Sequence, residues 1–198
     1  MVTLVVAKKY FTGLTKNTFL LTFTSLFADI STEMLYPILP IFLTQYLGAS
    51  GSVVGLIEGV ANATQNIQMG IAGYVSDKIH KRKSLAIVGY ALAAISKPFI
   101  GLSTIWQNVF IFRFIDRFGT GTRSAPRDAL IASSADDSNR GKAFGLEGIG
   151  DNLGAFLGPL LAVALLFYFK IPIRNIFYLA ILAFGLIIHI LGKFKTCQ

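Results

Sequence analysis

Charge is scarce in this chain. Only 14% of its 198 residues are Asp, Glu, Lys or Arg, while 54% are hydrophobic; soluble globular domains carry about 25% charged residues. With a mean hydropathy of +0.63, this scarcity excludes an ordinary soluble domain and places most of the chain in lipid. Cysteine is nearly absent. The single Cys197 has no partner in the chain, which excludes an intrachain disulfide framework and a Cys-based metal site and disfavours redox chemistry. Histidine is limited to His80, in a loop, and His189, near the end of the last apolar run, so no His-Glu-x-x-His zinc pattern exists. A Gly-rich P-loop is also missing, which disfavours direct drive by ATP. The reading is therefore of a non-enzyme with no cofactor and no metal.

Acidic residues are the scarcer charge, 10 against 18 Lys and Arg, for a net charge of +8. On a soluble protein this excess would suggest nucleic acid. Here the basic residues fall in short clusters between apolar runs and no aromatic-basic patch accompanies them, so nucleic acid is not an expected partner and the lipid bilayer is.

A helix needs about 20 mostly apolar residues to cross a bilayer. Six runs of that size lie near residues 19–47, 53–75, 84–103, 106–126, 143–169 and 174–191. The first is too long for a signal peptide and is interrupted by Asp29 and Glu33, so it reads as an uncleaved span. Pro37 and Pro40 would bend it by removing backbone donors. The predicted fold class is all-α, a polytopic bundle of about six transmembrane helices in a single domain without a linker.

Lys8, Lys9 and Lys16, then Lys78, Lys81, Arg82 and Lys83, then Arg123, Arg127, Arg140 and Lys142, and finally Lys193 and Lys195 fall on one side of such a bundle. The opposite side has only Lys170 and Arg174. Basic loops face the cytoplasm, which predicts a multi-pass cell-membrane protein with both termini cytoplasmic.

Five stretches carry further information. After the second run comes Gly73-Tyr74-Val75-Ser76-Asp77-Lys78-Ile79-His80-Lys81-Arg82. The fourth run reads Arg113-Phe114-Ile115-Asp116-Arg117-Phe118-Gly119-Thr120-Gly121 and leads to Pro126-Arg127-Asp128-Ala129. In the fifth, Gly150, Gly154 and Gly158 precede Pro159 at a spacing of four, which makes one smooth helix face suited to close packing or, with the proline, to a hinge. Asp29 and Glu33 stand four apart in the first run, and Lys97-Pro98 in the third.

These stretches resemble the N-terminal half of a major facilitator superfamily transporter. The resemblance is carried by Gly73, Asp77, Lys78, Lys81 and Arg82 of the cytoplasmic signature, with His80 where glycine is usual, and by Gly154-x-x-x-Gly158-Pro159. It implies secondary active transport of a small solute by alternating access, with proton coupling as an option. It also implies a cytoplasmic charge cluster of Asp77, Lys81 and Asp128. Family members carry two six-helix halves, so this length is compatible with a fragment, a truncated product or one subunit of a dimer. A second six-helix half or a second copy would then be a partner.

Polar side chains inside the runs mark the candidate pathway. A charge at the bilayer centre costs about 2.5–3.5 kcal/mol on insertion scales, so each such group requires a partner or a wet cavity. Asp29 lies about ten residues into the first run, roughly 15 Å deep at ~1.5 Å per residue, with Glu33 one turn on. Glu58, Asn62, Gln65 and Asn66 form a stripe in the second run, Arg113, Asp116, Arg117 and Thr120 in the fourth, and Glu147 and Asp151 in the fifth, while Lys97 is alone in the third. Either they form structural ion pairs or they line one shared cavity. Asp29, Glu33, Glu58, Asn62, Lys97, Arg113, Asp116, Arg117 and Asp151 are the candidate substrate or proton pathway, with Asp29 and Glu33 expected to face Arg113 or Arg117.

Overall fold

Six rods of helix follow one another close to the six apolar runs. The computed structural model describes residues 11–194, so Lys8, Lys9, Lys195 and Cys197 lie outside the described residues. The first rod starts with α1, Lys16–Glu33, whose first turn is capped by Thr15: its hydroxyl accepts from the Thr18 N–H at 3.3 Å. The rod resumes as α2, Ile38–Ile41, and closes in a π turn, Phe42–Tyr46. Next come α3, Gly51–Ile79, α4, Arg82–Leu102, and α5, Trp106–Ser133. The fifth rod is α6, Arg140–Val163, with its own π turn, Ala164–Tyr168; the last is α7, Ile173–Leu179, and α8, Leu182–Lys193.

Four rods are long and apolar enough to cross a membrane: Lys16–Tyr46, Arg82–Leu102, Asp137–Tyr168 and Ile173–Lys193. α3 and α5 have the length, 29 and 28 residues, but their polar stripes dilute the apolar composition. Large apolar side chains such as Phe156, Phe167, Tyr74 and Leu182 stand exposed on the outer faces, as lipid contact requires.

The break in the first rod follows from Pro37. Having no N–H, it cannot bond the Glu33 carbonyl, which accepts instead from Tyr36 at 3.2 Å, while Leu35 bonds Thr32 at 3.1 Å. These tighter bonds redirect the chain between α1 and α2. Pro126 acts differently. The predicted fourth run stops there, but α5 continues to Ser133 and buries Pro126, Leu130 and Ile131. The first and fifth rods end alike. Leu47 bonds Phe42 and Ala49 bonds Leu43, as Phe169 bonds Ala164 and Ile171 bonds Leu165. Each end passes through one left-handed residue, Gly48 at φ +64 and Lys170 at φ +52.

Packing divides the bundle into two triples. α1 lies against α6 and α8, and α5 against α3 and α4; α4 also meets α7 and α8, joining the triples along one side. The glycine face of α6 is what lets α1 approach. A Cβ on Gly154 would lie 2.8 Å from the Asp29 Cβ and 3.1 Å from the Leu26 carbonyl oxygen, and one on Gly158 would lie 2.8 Å from the Glu33 Cβ. α4 and α5 meet as closely, since a Cβ on Gly89 would fall 2.6 Å from the Gly119 carbonyl oxygen. Apolar clusters occupy both ends of the bundle, one around Phe42, Ile100, Val109 and Phe177, the other around Leu21, Ala86, Ile131 and Leu191. The charged side chains lie between them.

Gly154→Val is expected to lower the stability of the bundle in detergent by about 1–3 kcal/mol, the usual range for overpacking. Gly148→Val, on the same helix but with nothing within 4 Å of the added carbon, serves as the control. Equal unfolding midpoints for the two variants would show that the α1–α6 approach does not depend on Gly154.

Candidate functional site

Arg113 ties α3 to α5. Its Nε and Nη2 donate to the two carboxylate oxygens of Glu58 at 3.0 and 3.1 Å, and its Nη1 donates to Asp116 at 3.1 Å. Arg113 is 2% and Asp116 0% exposed, so the cluster sits in the wall between helices rather than in open space. Arg117 extends it, donating from Nη1 to the Gln65 side-chain oxygen at 3.1 Å with Nε 3.7 Å from Asp116. Burying these charges is tolerable because each has an opposite charge within 4 Å, with hydrogen-bond geometry for Arg113 with Glu58 and Asp116 and a longer contact for Arg117, whose hydrogen bond goes to Gln65.

The expected partner of Asp29 was Arg113 or Arg117. The structure pairs Asp29 with Arg123 instead, whose Nη2 lies 3.1 Å from Oδ1. Arg113 is held away by Glu58 and Asp116. The Arg123 guanidinium also stacks 4.6 Å from the centre of the Tyr90 ring. Arg123 and Arg127 were read as loop charges; both belong to α5, since that helix runs through Pro126. A signal for this was available. The spacing 113, 117, 120, 123 and 127 continues one helical stripe across the proline.

Arg127 joins α5 to α6 and α1. Its Nη2 lies 2.9 Å from Glu147 and 3.0 Å from Asp128, its Nη1 3.6 Å from Asp151, and Nη1 donates to the Ser25 hydroxyl at 3.1 Å. Lys97 is buried and has no carboxylate within ion-pair distance among the described residues; it donates to Ser31 at 2.7 Å and Thr32 at 3.2 Å. The Glu33 carboxylate accepts no hydrogen bond and makes no ion pair among the described residues. The interior charges are thus five cations, Lys97, Arg113, Arg117, Arg123 and Arg127, against six carboxylates, Asp29, Glu33, Glu58, Asp116, Glu147 and Asp151, with the side chain of Asp128 44% exposed at the rim.

A cavity of about 330 Å³ opens between α1, α3, α5 and α6. Asp29, Thr32, Glu33, Gln65, Arg117, Thr120, Arg123, Ser124, Arg127, Asp151, Asn152 and Ala155 line it. Of the candidate pathway residues, Asp29, Glu33, Arg117 and Asp151 come together there. Glu58, Arg113 and Asp116 stay in the α3–α5 wall, Lys97 lies behind α1, and Asn62 is exposed and does not line the cavity. Asn62 stands only about 60° from Gln65 around the axis but lies three residues nearer the start of α3, beyond the cavity edge.

The charge cluster expected of Asp77, Lys81 and Asp128 is not formed. Asp77 pairs with Arg82 at 3.2 Å across the turn, with its side chain 71% exposed, and Asp128 is held by Arg127. Lys81 is the residue from which α4 starts and, like Lys78, is exposed, with no ion pair among the described residues. Gly73 lies at the α3–α5 contact, where an added Cβ would be 3.3 Å from that of Ala125. His80 makes the turn in place of the usual glycine by adopting φ +54, a left-handed conformation in which histidine is enriched among non-glycine residues.

Arg113→Met should destabilise the protein by about 3–5 kcal/mol, because it removes the ion pair of Glu58 and leaves the buried Asp116 with only the longer contact to Arg117. The triple variant Arg113→Met, Glu58→Gln, Asp116→Asn should recover part of that loss. Thermal unfolding in detergent tests both, and a stable single variant would remove Arg113 from the frame of the site.

The profile of the Major Facilitator Superfamily matches residues 21–194. The chain is 40% identical over 167 residues to the uncharacterised MFS-type transporter MJ1317 of Methanocaldococcus jannaschii, covering 84% of this chain and 42% of that one. It is 27% identical over 153 residues to multidrug resistance protein MdtH of Photorhabdus laumondii (76% and 37% covered), and 26% over 144 residues to quinolone resistance protein NorA of Staphylococcus aureus (73% and 37%). It therefore spans about two fifths of the length of these curated relatives. Among solved structures, a mutant of the peptide transporter POT in complex with alafosfalin superposes with a TM-score of 0.78 at 21% identity, over 92% of this chain and 39% of that one. Helices, cavity and sequence match agree, and the chain belongs to the Major Facilitator Superfamily.

Proposed function

We propose that the chain is the N-terminal six-helix half of a secondary active transporter that moves a small solute by alternating access, with the cavity as part of the path. The observation that carries this reading is a charged cavity fed by four helices in a protein otherwise built for lipid, because such groups are costly to bury and mark solute or ion paths. α3 and α5, too polar by composition to read as lipid-embedded rods, act as spans because their polar stripes face the cavity and each other. That makes six spans, and the surviving excess of Lys16, Lys78, Lys81, Arg82, Lys83, Arg140, Lys142 and Lys193 over Lys170 and Arg174 orients both termini to the cytoplasm.

The relatives it matches are longer, and the cavity is open on one side. A second six-helix bundle, as a further segment or a second copy, would close it and rock against it around a midplane site. Asp29 and Asp151, facing Arg123 and Arg127, supply carboxylates that a coupling proton would use. Asp77, near the end of α3, is a cycling residue rather than a binding one, and Gly73, Lys78, Lys81, Arg82 and Asp128 belong to the same moving cytoplasmic edge. Gly150, Gly154, Gly158 and Pro159 supply close packing along which such a movement would slide.

The test is uptake into proteoliposomes across sugars, amino acids and amines, with and without a pH gradient, in whatever assembly the chain forms. Saturable uptake that Arg127→Met abolishes supports transport. A folded, inserted protein with no flux for any class would favour a membrane interaction protein. Asp77→Asn is expected to leave insertion intact and cost under ~1 kcal/mol of stability, as exposed ion pairs do, while slowing flux about tenfold, a barrier change of ~1.4 kcal/mol. Wild-type flux in that variant would overturn the assignment of Asp77.

A further inference from the structure

The cavity wall says more about the solute than the family does. Ala155 is its single apolar side chain, and no aromatic ring borders it. Pockets for lipophilic ligands are lined mainly by apolar and aromatic side chains, with a few polar groups setting orientation; this wall has the opposite balance. A lipophilic solute would leave hydroxyl, amide and charged groups without water or partners, which is costly. At about 330 Å³, the space suits a compact molecule.

The lining carboxylate without an ion pair is that of Glu33. Each cavity arginine has an acceptor, Asp29 for Arg123, Glu147 and Asp151 for Arg127, Gln65 with Asp116 nearby for Arg117, although Arg117 Nε and Arg123 Nη1 are buried without a hydrogen-bond partner among the described residues. Glu33 has no such partner among the described residues. It also sits where α1 stops bonding as a regular helix, just before the turn that Pro37 forces. Thr32, Gln65, Thr120 and Asn152 share the wall with it and offer hydroxyl and amide acceptors for further N–H groups.

Resting on the proposed role of this cavity as a solute path, we infer that Glu33 is the anchoring group for a compact hydrophilic organic cation, a primary amine or guanidine. The cation's N–H groups donate to the Glu33 carboxylate and to the neighbouring hydroxyl and amide oxygens. The amine gives Glu33 the direct ion pair it lacks, and the polar wall replaces part of the amine's hydration shell. This wall offers a lipophilic cation none of the apolar and aromatic surface that such a solute needs.

The experiment uses the full chain in lipid nanodiscs, with 1,4-diaminobutane, tetraphenylphosphonium and succinate as probes and thermal unfolding as the readout. Diaminobutane at millimolar concentration is expected to raise the unfolding midpoint, and the other two are not. Glu33→Gln should weaken diaminobutane binding about tenfold to a hundredfold, the loss of one charge-assisted contact. Its unliganded midpoint should stay near wild type, since no ion pair of Glu33 is removed. Glu33→Asp, which keeps the charge, should retain part of the binding and covers the case in which the amide variant misfolds. Stabilisation by tetraphenylphosphonium or succinate, no effect of diaminobutane, or undiminished binding in Glu33→Gln would each overturn the proposal. Uptake of some other solute class without diaminobutane binding overturns the cation site and leaves transport standing. Diaminobutane binding without any flux does the reverse.

Discussion

Charge held away from bulk water is the constraint around which this bundle is organised. Its arginines and carboxylates lie between two apolar clusters at the ends of the rods, where none is affordable alone. They fall into two groups. Glu58, Arg113, Asp116 and Arg117 form a wall network between α3 and α5, and Asp29, Arg123, Arg127, Glu147 and Asp151 join α5 to α1 and α6. α5 takes part in both, which is why its polar face runs for most of its length.

The two networks differ in what they leave over. The wall network closes on itself, with Asp116 sealed from solvent. The second borders the cavity, and there one guanidinium, Arg127, serves three carboxylates while Glu33 has no ion pair among the described residues, with Arg117, Arg113 and Lys97 acting on it only at longer range. A structural ion pair needs balance; a binding site needs one group left unbalanced for its ligand. The alternatives of structural pair and cavity lining are therefore both realised, in different parts of the same stripe.

Close backbone approach is the second requirement. Ion pairs across α1, α5 and α6 form only if the helices lie near each other, and Gly154 and Gly158 permit this on α1 as Gly89 and Gly119 do between α4 and α5. In lipid there is no hydrophobic drive between helices, so small residues and interhelical polar contacts do this work. The open side of the cavity, by contrast, is bordered by helix faces that carry no partner among the described residues.

Much was legible in the sequence. Apolar runs of bilayer length located all six rods because a spanning helix satisfies its own backbone and so depends on local composition. The glycine spacing in α6 and the polar stripes in α3 and α5 were visible as helical periodicity, and the Gly73–Arg82 stretch with Gly154-x-x-x-Gly158-Pro159 carried the family. What stayed hidden was partner choice. Asp29 meets Arg123, 94 residues away, and not Arg113 or Arg117, because the crossing point of α1 on α5 selects the partner and periodicity says only which face a residue occupies. Pro126 hid Arg123 and Arg127 for a related reason: a proline ends a helix by local rules, yet burial of Pro126, Leu130 and Ile131 against neighbouring helices carries α5 past it. The sequence alone determined where the six rods run and which helix faces are polar, since both follow from local composition and periodicity; which charges pair, and that Glu33 has no ion pair among the described residues, was decided by tertiary packing, since ion pairing depends on distances between helices that no single helix encodes.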